Sequence, residues 1–150
     1  MKTILITTWF LLLCCSHSGA ATQIGEDGSL VAFNNGTVVD SQTNLMWSQA
    51  DNGKDFSWLE ATIFAESLNL EAYDDWRLPT KVELAKLFRE ETNSNGLNIS
   101  PLFQLESIFL YASDSKRCKA AFANLTNGSF NWVIQSRPDF GRVLVVRTNN

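Results

Sequence analysis

Histidine is almost missing from this chain, whose 150 residues include one, His17, beside three cysteines. His17, Cys14 and Cys15 all fall in the opening segment. There Lys2 supplies a positive charge, Ile4 to Leu13 form an apolar run broken only by Thr7 and Thr8, and Ser18, Gly19, Ala20 and Ala21 are small. That order is the pattern of a secretory signal peptide, so residues 1–21 are expected to be removed and residues 22–150 to form one exported domain, periplasmic, outer-surface or secreted. The run is too short to serve as a permanent transmembrane anchor, and no later stretch is apolar for long enough. A lipid anchor at Cys15 is the second reading. The residues before that cysteine are bulkier than lipoprotein processing favours, which puts the cleaved soluble form first.

Once the leader is subtracted, no imidazole and a single thiol, Cys118, remain. That removes Ser-His and Cys-His nucleophiles, imidazole metal ligands and any side chain titrating unperturbed near neutral pH. No enzyme, no cofactor and no metal site are expected. Cys118 has no partner within the exported part, in a compartment that permits disulfides. Its neighbours Lys116, Arg117 and Lys119 would lower a thiol pKa, which leaves a nucleophile or an intermolecular bridge open beside the plainer reading of a free thiol at a strand start. Positive charge is also short. The formal net charge of −4 argues against a nucleic-acid partner, because phosphate-tracking surfaces carry an excess of Lys and Arg.

What is present is apolar and aromatic material, 45% and 11% of the chain, enough for one sizeable core at this length and not for two domains. Val31 to Phe33 and Thr37 to Val39 flank Asn34, Asn35 and Gly36 and read as a hairpin; Leu45 to Trp47 adds a third strand. Ser57 and Glu60 form a capping box ahead of a helix whose stripe is Ala61, Phe64, Ala65 and Leu68, ending at Asn69. Thr80 and Glu83 repeat the device before Leu84, Leu87 and Phe88. Glu91 to Ser100 lacks apolar periodicity and reads as a surface loop. Ile108 to Ala112, Ala120 to Leu125, Phe130 to Ile134 and Val143 to Val146 read as strands, with an Asn127-Gly128 turn between the second and third. This inventory is α+β.

The stretch from Asn35 to Trp47 (NGTVVDSQTNLMW), the helix WLEATIFAESLNL and the segment from Asp74 to Phe88 (DDWRLPTKVELAKLF) resemble the C-terminal domain family of the Legionella collagen-like adhesin, Lcl. The resemblance extends to AAFANLTNGSF and the closing VLVVR. It implies a C-type-lectin-like fold, with two helices packed on a twisted antiparallel sheet and adjacent terminal strands. It also implies an exported bacterial binding module of the cell envelope or surface, engaged in adhesion. Family members often carry a cysteine in the first helix and another in the last strand, at positions that correspond to Ala65 and Val145; here an apolar contact is expected to replace that bridge.

Trp47, Asp75, Trp76, Arg77, Leu78 and Pro79 are the structural residues that the resemblance marks. Asp74 and Asp75 are adjacent on an extended segment and point to opposite faces, so they are poorly placed to share one ion. Arg77 is expected to pair with one of them. For ligand binding, Trp58 and Trp132 are the more open aromatics, and Lys116, Arg117, Lys119, Arg137 and Arg142 could gather at one edge to meet a sulfated glycan, the ligand class that the resemblance implies; a solvated surface is the plainer account of these cations on a chain of negative net charge. The expected partner is a glycan or an envelope protein. A structural subunit of an envelope assembly and a relative of the formylglycine-generating enzymes are the alternatives, the second resting on Cys118 alone. Asn35, Asn124 and Asn127, each in an Asn-x-Ser/Thr triplet, are read as turn residues.

Overall fold

Short segments between Asn- and Gly-bearing turns make the strands β1 (Gln23–Asp27), β2 (Leu30–Phe33), β3 (Thr37–Asp40) and β4 (Leu45–Ser48). Helices α1 (Trp58–Ser67) and α2 (Lys81–Leu87) follow, then β5 (Phe109–Lys116), β6 (Lys119–Asn124), β7 (Ser129–Ile134) and β8 (Val146–Thr148). These elements come from a computed structural model that describes residues 20–150; the apolar run, Cys14, Cys15 and His17 lie outside the described residues. The chain is α+β. Its strands form two antiparallel sheets rather than one, ordered β1-β2-β3-β4-β8 and β5-β6-β7.

The expected adjacency of the terminal strands is not found. β1 and β8 occupy opposite edges of the five-stranded sheet. Each hairpin turn of the meander places the next strand beside the last, so the free side left for the C-terminal strand is that of β4, where Trp47 faces Val146. β1 was not anticipated; its exposed, polar sequence carries little alternation.

Both helix starts form as their sequences dictate. Ser57 Oγ accepts from Glu60 N at 3.3 Å while Ser57 N donates to Glu60 Oε2 at 2.7 Å. Thr80 and Glu83 repeat the exchange at 3.2 and 2.7 Å. Each box satisfies backbone donors that no helical carbonyl reaches. α1 ends at Ser67, two residues earlier than Asn69, with Leu68 extended as its C-cap.

Two buried clusters divide the core. One joins α2 to both sheets through Leu84, Leu87, Trp47, Phe103 and Leu110; the other holds α1 through Ala61, Ala65, Trp76 and Tyr111. The run Val143 to Val146 threads between them. Val143 and Val145 face the α1 cluster and Leu144 and Val146 the α2 cluster, which is the period-two alternation of extended chain. Only Val146 onward joins a ladder as β8, so the expected strand is displaced toward the C-terminus. Ala65 and Val145 lie in the same cluster. The 91–100 segment is not wholly a surface loop, because Leu97, Ile99 and Ser100 are buried and Ile99 bridges Phe88.

The asparagines of the glycosylation-like triplets shape turns. Asn35 Oδ1 accepts from Thr37 N at 3.3 Å, Asn124 Oδ1 from Thr126 N at 2.9 Å, and Asn127 Oδ1 from Ser129 N at 3.0 Å. Gly128, at φ +69°, supplies the left-handed residue that closes the β6–β7 turn.

Candidate functional site

At one end of the three-stranded sheet, the β5–β6 hairpin turns through Arg117 and Cys118, with Arg117 in the left-handed region at φ +54°. Lys116 pairs with Lys119 across that hairpin, and Lys119 pairs with Ile134 on β7. The three residues thus form one cross-strand row on one face. Trp132, two residues before Ile134, stands on the same face opposite the fully buried Ala121. An alanine there leaves room for the indole to lie over the sheet.

Positive charge collects around this ring. Lys116 Nζ sits 4.1 Å from the Trp132 ring centroid, and Lys81 Nζ, from the first residue of α2, sits 5.4 Å away and also 5.6 Å from Phe130. Both contacts lie within reach of a cation–π attraction. Lys81 was not among the sequence candidates, because only the packing of α2 over β5 and β6 brings it here. Arg137 stacks on Phe140 at 4.5 Å. Lys119, Trp132, Val133, Ile134, Arg137 and Pro138 line an open cleft of about 550 Å³. Among the described residues, Lys81, Lys116, Arg117, Lys119 and Arg137 have no salt-bridge partner. Cys118 is exposed and free at the hairpin tip.

Two of the sequence candidates do not join this face. Arg142 lies beside Phe109, at the far end of β5 from Lys116, and its side chain is only 16% exposed. Its guanidinium donates to Glu106 at 2.8 Å, to Asp51 at 2.9 Å and to Asp55 at 3.2 Å. The Glu106 hydrogen bond, followed by those of Asp51 and Asp55, raises its pKa against the opposing effect of burial. An arginine enclosed in this way is spent on the fold and cannot meet a ligand. Trp58 is half-buried, donates its indole N–H to Ala112 O at 2.8 Å, and opens on a separate depression shared with Thr62, Glu66, Arg77 and Ser113.

Tyr111 is fully buried, donates to Phe56 O at 3.1 Å, and has its pKa pushed up to about 12 by that burial. No group of three or more His, Cys, Asp or Glu among the described residues is placed to hold a metal ion, and no helix among them is long and apolar enough to cross a membrane.

The sequence model of one family, the Lcl C-terminal domain, matches residues 36–147, from the β2–β3 turn into β8. The chain belongs to the Lcl C-terminal domain family. No curated protein and no solved structure matches it. The match includes the Trp132 face and the Asp-Trp-Arg-Leu-Pro-Thr segment that leads into α2.

In this Lcl C-terminal domain that segment is a strut. Trp76, Leu78 and Pro79 are buried; the Trp76 indole donates to Leu70 O at 3.2 Å, and Pro79 O accepts from Ser113 N at 2.8 Å. Arg77 does not pair with an aspartate as expected. Its guanidinium forms a two-pronged bond to Glu83, Nη2 to Oε1 at 2.6 Å and Nη1 to Oε2 at 2.9 Å. The cause is the capping box, which folds the Glu83 carboxylate back to Thr80 N and so beside Arg77. That hydrogen bond to Arg77 holds Glu83 below the ordinary carboxylate range despite partial burial. Asp75 instead takes Arg147 Nε at 2.6 Å, which lowers its pKa, while the Arg147 guanidinium lies 3.7 Å from the Tyr73 ring centroid. The backbone bridge Arg77↔Val146 sets this register.

Proposed function

We propose that this Lcl C-terminal domain is an exported, non-catalytic recognition module of the bacterial cell surface, of C-type-lectin-like kind, and that the Trp132 face selects negatively charged ligands. The observation that carries the reading is the unpaired charge. On a chain of net charge −4, Lys81, Lys116 and Lys119 converge on one aromatic face, and none of their ammonium groups has a salt-bridge partner among the described residues; the nearby Asp114 carboxylate accepts from the Lys81 backbone N–H at 2.7 Å. Such a cluster raises the local concentration of anions and speeds their capture, with an effect that salt screens. The adhesin association of the family supports surface display, with residues 1–21 acting as the leader. A mature protein of increased mass, lipidated at Cys15, is the outcome that would replace the soluble form with an anchored one.

The test is retention of the domain, residues 22–150, on immobilised dextran sulfate against neutral dextran. Retention on the sulfated matrix alone is expected, with release as ionic strength approaches about 1 M, where the screening length shrinks to about 3 Å. Equal behaviour on the two matrices would remove charge selection and with it this reading.

A further inference from the structure

The three-stranded sheet ends in an edge that no other strand of the described chain covers, since β7 pairs with β6 alone. Two bonds establish which backbone groups point outward. Gln135 N donates to Cys118 O at 2.9 Å, and Leu125 N donates to Ile108 O at 2.8 Å. Even-numbered residues of β6 therefore bond toward β7 and odd-numbered ones toward β5. Ala120↔Val133 and Phe122↔Asn131 are then the pairs that exchange hydrogen bonds, and the intervening Phe130, Trp132 and Ile134 direct their N–H and C=O groups away from the sheet. Ile134 O is taken by Arg137 N at 3.0 Å. No backbone group among the described residues pairs with the others.

A row of free donors and acceptors is a template for one more strand. Its flanks decide what kind. Trp132 and Ile134, the latter 54% exposed, share their face with Lys81, Lys116 and Lys119. A second copy of this edge would bring the same lysines together, and like charges oppose that pairing. An acidic strand is drawn to it. On the opposite face stands Val133, part of the α1 cluster, beside which an apolar side chain continues the buried surface.

We propose that β7 takes up an extended segment of a partner protein as a fourth, antiparallel strand, in which acidic residues face Trp132 and its lysines and apolar residues alternate with them. This rests on the reading of the Trp132 face as a site for negative ligands, and it names the ligand. In antiparallel pairing, residues opposite one another share a face, and in every second pair they exchange both backbone bonds; Phe130, Trp132 and Ile134, with their backbone groups turned outward, would stand in those bonded pairs. The acidic residues are thus the ones whose own backbone groups bond to Phe130, Trp132 and Ile134.

The experiment uses a synthetic peptide about six residues long, the usual strand length, in which glutamate and valine alternate. Three derivatives accompany it: one N-methylated at the glutamate amides, one at the valine amides, and one with lysine replacing glutamate. Binding to residues 22–150 and amide exchange are followed by NMR, with dextran sulfate as a separate arm. Methylation at glutamate is expected to weaken binding about tenfold or more through the loss of several backbone bonds. Methylation at valine should leave it unchanged, the lysine peptide should not bind, and the Phe130, Trp132 and Ile134 amides should gain protection. Equal binding of both methylated peptides, or protection absent from those three amides, overturns the proposal. If dextran sulfate binds and the glutamate peptide does not, the strand proposal falls while anion selection stands; if neither binds, both fall.

Discussion

Arg142 and Lys116 stand at opposite ends of β5 and show two uses of positive charge in one sheet. Arg142 is closed in by Asp51, Asp55 and Glu106, and the Asp51 side chain is 1% exposed while also accepting from Gly53 N and Glu106 N. Lys116 has an indole beneath it and no carboxylate partner among the described residues. Each salt bridge found in the described residues uses an arginine, and each of those arginines ties together segments distant in sequence or braces a helix start. A planar, multiply donating guanidinium suits such fixed joints, whereas a lysine ammonium on a flexible stem suits a partner that comes and goes. Charge locked in pairs therefore belongs to the fold, and the proposed function assigns binding to the charge left open.

Breaking the locked end should give the largest effect. Asp51→Ala takes one of three carboxylates from the part-buried Arg142 and removes the acceptor of three backbone amides, those of Gly53, Glu106 and Ser107, so a loss of about 1.5–3 kcal/mol is expected by denaturant unfolding, the range for hydrogen bonds to a charged group. Thr80→Ala removes the α2 cap and should cost about 1 kcal/mol in the same assay. The paired carboxylates also give the domain an acid limit. Glu83 is held below 4.5 by Arg77 and Asp75 below 3.8 by Arg147. Their stabilisation is complete above those ordinary values and lost as pH falls through the lower folded ones. Thermal melts should therefore stay level from neutrality to about pH 4.5 and then decline, and Glu83→Gln should flatten the upper part of that decline. At the open end, Lys116→Ala should change stability by no more than about 0.5 kcal/mol, with a shift in Trp132 fluorescence as the only intrinsic sign.

How far this contrast was readable in advance follows from sequence distance. The two capping boxes span three residues each and stood in plain view at Ser57–Glu60 and Thr80–Glu83. The Arg77–Glu83 bond follows the same logic, since a capping carboxylate folds back toward the residues before its helix; Asp74 and Asp75, nearer in sequence, are the competing carboxylates. The cage around Arg142 joins side chains 36, 87 and 91 residues away, and nothing local announces it. The division of the strands into two sheets was hidden for the same reason, because β8 finds β4 only after α1, α2 and the second sheet are placed. On the Trp132 face, Lys116, Lys119 and Trp132 were legible as a basic hairpin near an open aromatic, but Lys81 arrives through tertiary packing.

The most direct measurement is a paired one on the charge-reversed variant Lys116→Glu/Lys119→Glu: dextran sulfate affinity by titration calorimetry and melting temperature on the same sample. Loss of binding with an unchanged melt is the predicted result. Unaltered binding, or a melt that collapses together with it, would mean that these lysines serve the fold like the arginines and that the recognition surface lies elsewhere.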